Sequence, residues 1–314
     1  MPCDQRLCHP TLIKYNAKDL AMDLRSIMMG VSFSIIWSSA FTSARILVTA
    51  ASPLMVLSLR FLISGLLGIA LAYMLGQKIQ LNRGEWSVVV IIGICQNALY
   101  LAFNFIAMQW IEAGLAAIIA SLLPLIVAVV CWLFLGEKTG FTGILGLVAG
   151  FGGVLVIMLD KLSGSSASLG MALCLIGLAG LAAATLYVGR MMSRNKNVLM
   201  IVGLQMIVGC IILFPFSLIF ENWNIEWSTS FILAFLYTTL VPGLLGTLIW
   251  FYLVRRVGPV RAATFHFLNP FFGVLVAALI LSEPLSVRDG IGVTIIMAGI
   301  LLVQMSRRQI ANSD

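Results

Sequence analysis

Hydrophobic positions along this chain fall into long runs broken by short polar punctuation, and the runs set the architecture. Ten of them stand out: 27–46, 54–75, 86–108, 113–135, 141–159, 168–189, 199–220, 229–254, 260–281 and 289–306. Each is close to the roughly 20 apolar residues that a helix needs to cross a hydrocarbon layer. The separators are short and carry Gly, Pro, Asn, Ser or charge, as turns do. Backbone amides cannot stay unpaired in lipid, so each run is expected to be helical. A β-barrel would instead show ten-residue strands of alternating polarity, and none is visible. The expected fold is an all-α polytopic membrane protein.

Composition agrees. Hydrophobic residues make up 61% of the 314 and charged residues 10%, against about 45–50% and 25% for soluble domains. Lipid must therefore cover much of the surface. A net charge of +7 does not imply nucleic acid, because the basic residues are scattered between apolar runs. Their sidedness is informative instead. One side collects Arg6, Lys14, Lys18, Arg25, Lys78, Arg83, Lys138, Arg190, Arg194, Lys196, Arg255, Arg256, Arg261, Arg307 and Arg308. The other holds only Arg45, Lys161 and Arg288, with Arg60 left inside a run. This asymmetry leads to the expectation that both termini are cytoplasmic. Trp86, Trp110, Trp223 and Trp227 mark run ends, as interfacial aromatics do.

The runs repeat. Residues 104–158 align with 250–304 at a constant offset of 146 without a gap, and twelve of the 55 positions are identical. Pro124 matches Pro270, Glu137 matches Glu283, Gly146 matches Gly292 and Gly153 matches Gly299. A fainter match sets 53–65, with Arg60, against 198–210, with Gln205. The expected organisation is a cytoplasmic tail (1–26), a first five-helix unit (27–159), a linker (160–167), a second five-helix unit (168–306) and a tail (307–314). Five is odd, so the second unit enters the membrane inverted. Such a pair has two similar packings, one open to each face, which is alternating access.

At this point the chain resembles the EamA-type members of the drug/metabolite transporter superfamily. The matching features are the first-run pattern around Trp37, the Pro-Leu…Leu-Arg-Phe of 53–61, and the repeated Pro-x12-Glu…Gly of 124–146 and 270–292. The resemblance spans about 27–306 and implies ten helices and the export or exchange of small metabolites.

Positions shared by the halves read as scaffold or gate. Pro124 and Pro270 are expected to bend their helices at mid-membrane. Glu137 and Glu283 are expected at the cytoplasmic junction before a following helix, where a carboxylate meets free amides and the positive helix end. Gly143, Gly146, Gly150 and Gly153 let helices approach closely.

Positions that differ between halves are candidates for substrate contact. Gln96, Asn97, Tyr100 and Asn104 recur at spacings that place most of them on one helix face. Either helix–helix hydrogen bonding or a cavity wall explains them. Trp250, opposite Asn104 by the offset, would belong to a facing wall with Gly243 and Gly246. His266 and Asn269 lie three apart just before Pro270; a histidine bonded to its neighbour and a solute contact or proton acceptor are both open. Trp37 either only packs, or it stacks on a substrate or closes the cavity. Arg60 either snorkels outward or holds a substrate carboxylate.

No Asp or Glu lies deep in any run. Cys3, Cys8 and His9 are too few and too close to an end to argue for a metal, and neither a nucleotide loop nor a catalytic triad is visible, so no cofactor and no enzymatic chemistry are expected. The expected partners are the bilayer and a small-molecule solute, with the chain a monomer or weak homodimer. The leading expectation is a secondary transporter of small metabolites such as amino acids or their derivatives. The alternatives are a broad drug or cation exporter and a membrane-embedded enzyme or lipid-handling protein.

Overall fold

The structure, a computed structural model, describes residues 23–135, 140–161, 165–191, 197–284 and 286–313. Glu137, Cys3, Cys8 and His9 lie outside these residues. The chain runs through α1 (Leu24–Ala50), α2 (Pro53–Met74), α3 (Arg83–Ala107), α4 (Ala113–Ala120), α5 (Leu123–Leu135), α6 (Phe141–Lys161) and α7 (Ser165–Met191). It continues through α8 (Val198–Phe220), α9 (Thr229–Val257), the short α10 (Pro259–Ala263), a 3-10 turn (Thr264–Leu268), α11 (Asn269–Leu281) and α12 (Val287–Ser313). Among the described residues there is no strand, only an isolated bridge between Ala51 and Ile225.

Eight helical stretches among the described residues are long and apolar enough to cross a membrane, and the described apolar part of α6 forms a shorter ninth. Leu66, Ile211, Leu218, Leu233, Leu279 and Ile280 stand more than half exposed on the outside of the bundle. Water would not tolerate that surface, so the chain is a multi-pass membrane protein.

Two helices carry π-helical stretches, Gly93–Leu101 in α3 and Thr239–Gly246 in α9. The breaks expected at the prolines differ from simple bends. α4 ends at Ala120, and Pro124 is the second residue of α5; Pro270 is likewise the second residue of α11, after the 3-10 turn. Each proline therefore starts a new helix, where its missing N–H costs little.

Packing crosses between the halves. α1 lies against α9 and α11, and α7 lies against α3, α4 and α5. α2 packs on α8, and α6 packs on α12. The α6–α12 crossing is reciprocal. A Cβ placed on Gly146 would sit 2.5 Å from the Gly299 carbonyl oxygen, and one on Gly153 would sit 2.8 Å from that of Gly292. Gly146 and Gly153 are the offset partners of Gly292 and Gly299, so the contact maps onto itself.

The two ends of the bundle are held differently. At one end Arg256, in the last turn of α9, donates to Asp23 and Ser26 at the start of α1. The guanidinium holds the Asp23 carboxyl down to about 2 from its ordinary 3.8. At the other end, two carboxylates cap helices of the opposite half. Glu221 accepts from the Leu54 and Met55 amides of α2, both at 2.8 Å. Glu283 accepts from the Ala113 and Gly114 amides of α4, at 2.8 and 2.9 Å. Arg45 donates to the Met108 carbonyl there.

This corrects the placement expected for Glu283. It does meet free amides at a helix start, but at the end of the bundle opposite Asp23 and Arg256. The physical reason is parity: after α5 the chain runs through α6, α7, α8, α9 and the α10–α11 stretch, an odd number of passes, so a residue after α11 lies at the end opposite the one that α5 reaches.

Candidate functional site

α1 presents Trp37, Phe41 and Ala44 along one face at helical spacing, all buried. With α2, α3, α8 and α9 they enclose a cavity with about 490 Å³ of space free of atoms. Of that, about 30 Å³ can take the centre of a water, room for only two or three molecules. The cavity is therefore constricted in this conformation, well short of the roughly 300 Å³ or more of a small-molecule pocket.

Trp37, Arg60, Asn97, Tyr100 and Asn104 all line it, beside Phe61, Phe105, Met108, Met206, Thr238, Pro242 and Thr247. Trp37 and Tyr100 stack with ring centroids 6.2 Å apart and planes 10° from parallel. Arg60 does not snorkel. It is 4% exposed, and its Nε donates to the Thr238 carbonyl at 3.1 Å. Its guanidinium carbon lies 5.5 Å from the centroid of Phe61 and 5.9 Å from that of Phe105.

The amides are partly committed to packing. Asn97 Nδ2 donates to the backbone and side-chain oxygens of Gln205, at 2.9 and 2.6 Å. Asn104 Nδ2 donates to the Tyr100 carbonyl at 2.8 Å. The Tyr100 hydroxyl is buried and makes no hydrogen bond of ordinary geometry, with the Trp37 side chain as a polar neighbour.

Four expected contacts, Gln96, Trp250, His266 and Asn269, lie elsewhere. Gln96 is buried but off the cavity wall. The spacing argument assumed an α-helix, and the π-helical turn through Gly93–Leu101 changes which residues share a face. Trp250 does not form a facing wall. It stacks on Phe33 at 4.8 Å and meets the edge of His266 at 5.1 Å, in a layer beneath Trp37. Phe33 and Trp37 also meet His266, at 5.2 and 5.9 Å. Asn269 joins this layer: Ser38 Oγ donates to its Oδ1 at 3.2 Å, and its Nδ2 lies 2.9 Å from His266 Nδ1. His266 Nε2 is buried without a partner. Trp37 thus separates the cavity from a histidine enclosed by aromatic rings.

Thr238, Pro242 and Phe105 were not anticipated. Pro242 inside an apolar run was the readable signal, because it coincides with the π-helical opening of α9. Among the described residues no cluster of three metal-ligating side chains exists.

The EamA-like transporter family model matches twice, over residues 24–159 and 169–305. The chain belongs to the EamA-like transporter family. It is 27% identical over 280 residues to an uncharacterized transporter, YvbV, of Bacillus subtilis, covering 89% of this chain and 91% of that one. It is 29% identical over 279 residues to the uncharacterized inner membrane transporter YedA of Escherichia coli K12, covering 87% and 88%. A WAT1-related chloroplastic protein of Arabidopsis thaliana matches at 25% over 277 residues, covering 85% of this chain and 66% of that one. A solved crystal structure superposes with a TM-score of 0.68 at 19% identity, covering 91% of this chain and 98% of the other. That likeness is one of fold. Family and relatives together identify a membrane transporter.

Proposed function

We propose that this EamA-like protein is a secondary transporter, an exporter or exchanger of small metabolites such as amino acids or their derivatives. It would work in the inner membrane by alternating access of two inverted five-helix units with both termini cytoplasmic. The observation that carries this reading is the cavity itself: it is lined by polar and aromatic side chains together and bounded by helices of both halves. Three features support the inversion. The glycine contacts of α6 and α12 are reciprocal, as a twofold axis requires. The π-helical stretches begin at positions 146 apart. Each half lends its first helix to the other.

A broad exporter of cations fits less well, because the cavity contributes a buried guanidinium and no carboxylate.

The test is solute counterflow in proteoliposomes. Vesicles loaded with an unlabelled amino acid or amino-acid derivative should transiently accumulate the labelled solute from outside, while protein-free vesicles do not. Absence of counterflow across such a panel, with lipophilic cations exchanged instead, would replace this reading with the cation exporter. Covalent turnover of a solute by the purified protein would replace it with an enzyme.

A further inference from the structure

Arg60 is the anomaly in the cavity. A guanidinium keeps its charge at physiological pH, and this one is 4% exposed. Among the described residues no carboxylate pairs with it; its one hydrogen bond runs from Nε to the Thr238 carbonyl. An uncompensated charge within a membrane bundle is costly and marks a functional position. The surroundings limit what can compensate it. Phe61 and Phe105 lie within 6 Å of the guanidinium carbon, so aromatic rings cover its flanks, and Thr238 occupies the Nε side. The edge carrying the two terminal nitrogens is left for a ligand. Nearby, the Tyr100 hydroxyl is buried without a hydrogen bond of ordinary geometry, and much of the remaining wall is apolar: Trp37, Phe41, Phe61, Phe105, Met108 and Met206.

We propose that the cavity binds organic anions. The ligand is a compact oxyanion, a carboxylate in the simplest case, on a flat apolar body. In a conformation opened wider than this one, its two oxygens pair with the free edge of Arg60, its body lies against Trp37 and the phenylalanines, and a second polar group reaches Tyr100. The planar fork of arginine suits two parallel hydrogen bonds to one carboxylate. This deepens the transporter reading and rests on it for the meaning of binding, though not for binding itself.

Isothermal titration of the purified full-length protein in detergent with three probes of equal ring size tests this: phenylacetate, phenylacetamide and phenethylamine. Phenylacetate should bind about ten- to a hundredfold tighter than the neutral amide, and the amine should bind weakest. In Arg60→Met the anion and the amide should bind within about twofold of each other. Equal affinities in the wild-type protein overturn the proposal. So does an amine preference, an anion preference that survives Arg60→Met, or no phenylacetate binding at millimolar concentration. If Arg60→Met does not accumulate, the three-probe comparison on the wild type decides alone. Counterflow of the same probes separates this from the transporter reading. Arg60-dependent binding without phenylacetate counterflow keeps the site and removes the transporter; counterflow with no anion preference does the reverse.

Discussion

Replacing Gly299 by alanine should loosen the α6–α12 crossing, and the geometry sets the size of the effect. The new methyl would lie 2.5 Å from the Gly150 nitrogen, 2.6 Å from the Gly146 oxygen and 2.8 Å from the Gly150 Cα. All three are backbone atoms, so no side chain can rotate away. Reaching ordinary contact near 3.4 Å requires the helices to part by about 0.9 Å, and overpacking of that kind costs about 1–3 kcal/mol. Alanine also favours the helix by about 0.5–1 kcal/mol over glycine. Gly152→Ala isolates that second effect, because a methyl there meets nothing within 4 Å. The difference between the two variants is then the overpacking alone. Unfolding in mixed detergent micelles, followed by tryptophan fluorescence, should show Gly299→Ala less stable than Gly152→Ala by about 1–3 kcal/mol. Gly146→Ala opens the same gap, so the Gly146→Ala, Gly299→Ala pair should cost less than the sum of its members. Equal stabilities for Gly299→Ala and Gly152→Ala would refute the close crossing.

Three further outcomes follow from the same contacts. Tyr100→Phe removes a buried hydroxyl that makes no hydrogen bond of ordinary geometry, so the melting temperature should hold or rise, with a gain of up to about 1 kcal/mol; a clear loss would mean that the hydroxyl is bonded. Asn97→Ala strands the Gln205 side chain and should cost about 1–3 kcal/mol, seen as lower membrane abundance and earlier melting; normal abundance with lost transport would make Asn97 a solute contact instead. Asp23 has its carboxyl held at about 2, below its ordinary 3.8, so its pairing with Arg256 stabilises above about pH 4 and is lost as pH falls toward 2. The melting difference between wild type and Asp23→Asn should close over that window, and a gap constant with pH would contradict the pairing.

Much of this arrangement could be read from the chain because the lipid-facing requirement is severe. Apolar runs, charge sidedness and the offset of 146 between Pro124 and Pro270 or Gly146 and Gly292 all leave marks on residue type. The glycine crossing was legible for the same reason, since only glycine permits backbones so close. The cavity was legible in part. Trp37, Arg60, Asn97, Tyr100 and Asn104 stand out as polar or aromatic residues in apolar runs, and they do converge.

The failures have a common origin in backbone geometry that residue type does not encode. One π-helical stretch, in α3, moved Gln96 off the wall, and a second, Thr239–Gly246 in α9, carries Pro242, which lines the space beside Thr238. Trp250 was assigned by its offset partner, yet its ring stacks on Phe33 below the floor, because a repeat relates backbones and not side-chain directions. The end of the bundle that holds Glu283 followed from parity alone and was misassigned by treating it as equivalent to Glu137. The bonds that Glu283 makes to Ala113 and Gly114 reach across the halves, and no local pattern announces such a partner.

Solute passage through the central cavity is most directly tested by the two-sided reactivity of one wall position. Ala40 lines the cavity on α1. In a chain whose six cysteines have been replaced, Ala40→Cys should react with a membrane-impermeant maleimide in right-side-out vesicles and also in inside-out vesicles. A transported solute should slow both reactions. Labelling confined to one orientation, with or without solute, would contradict alternating access.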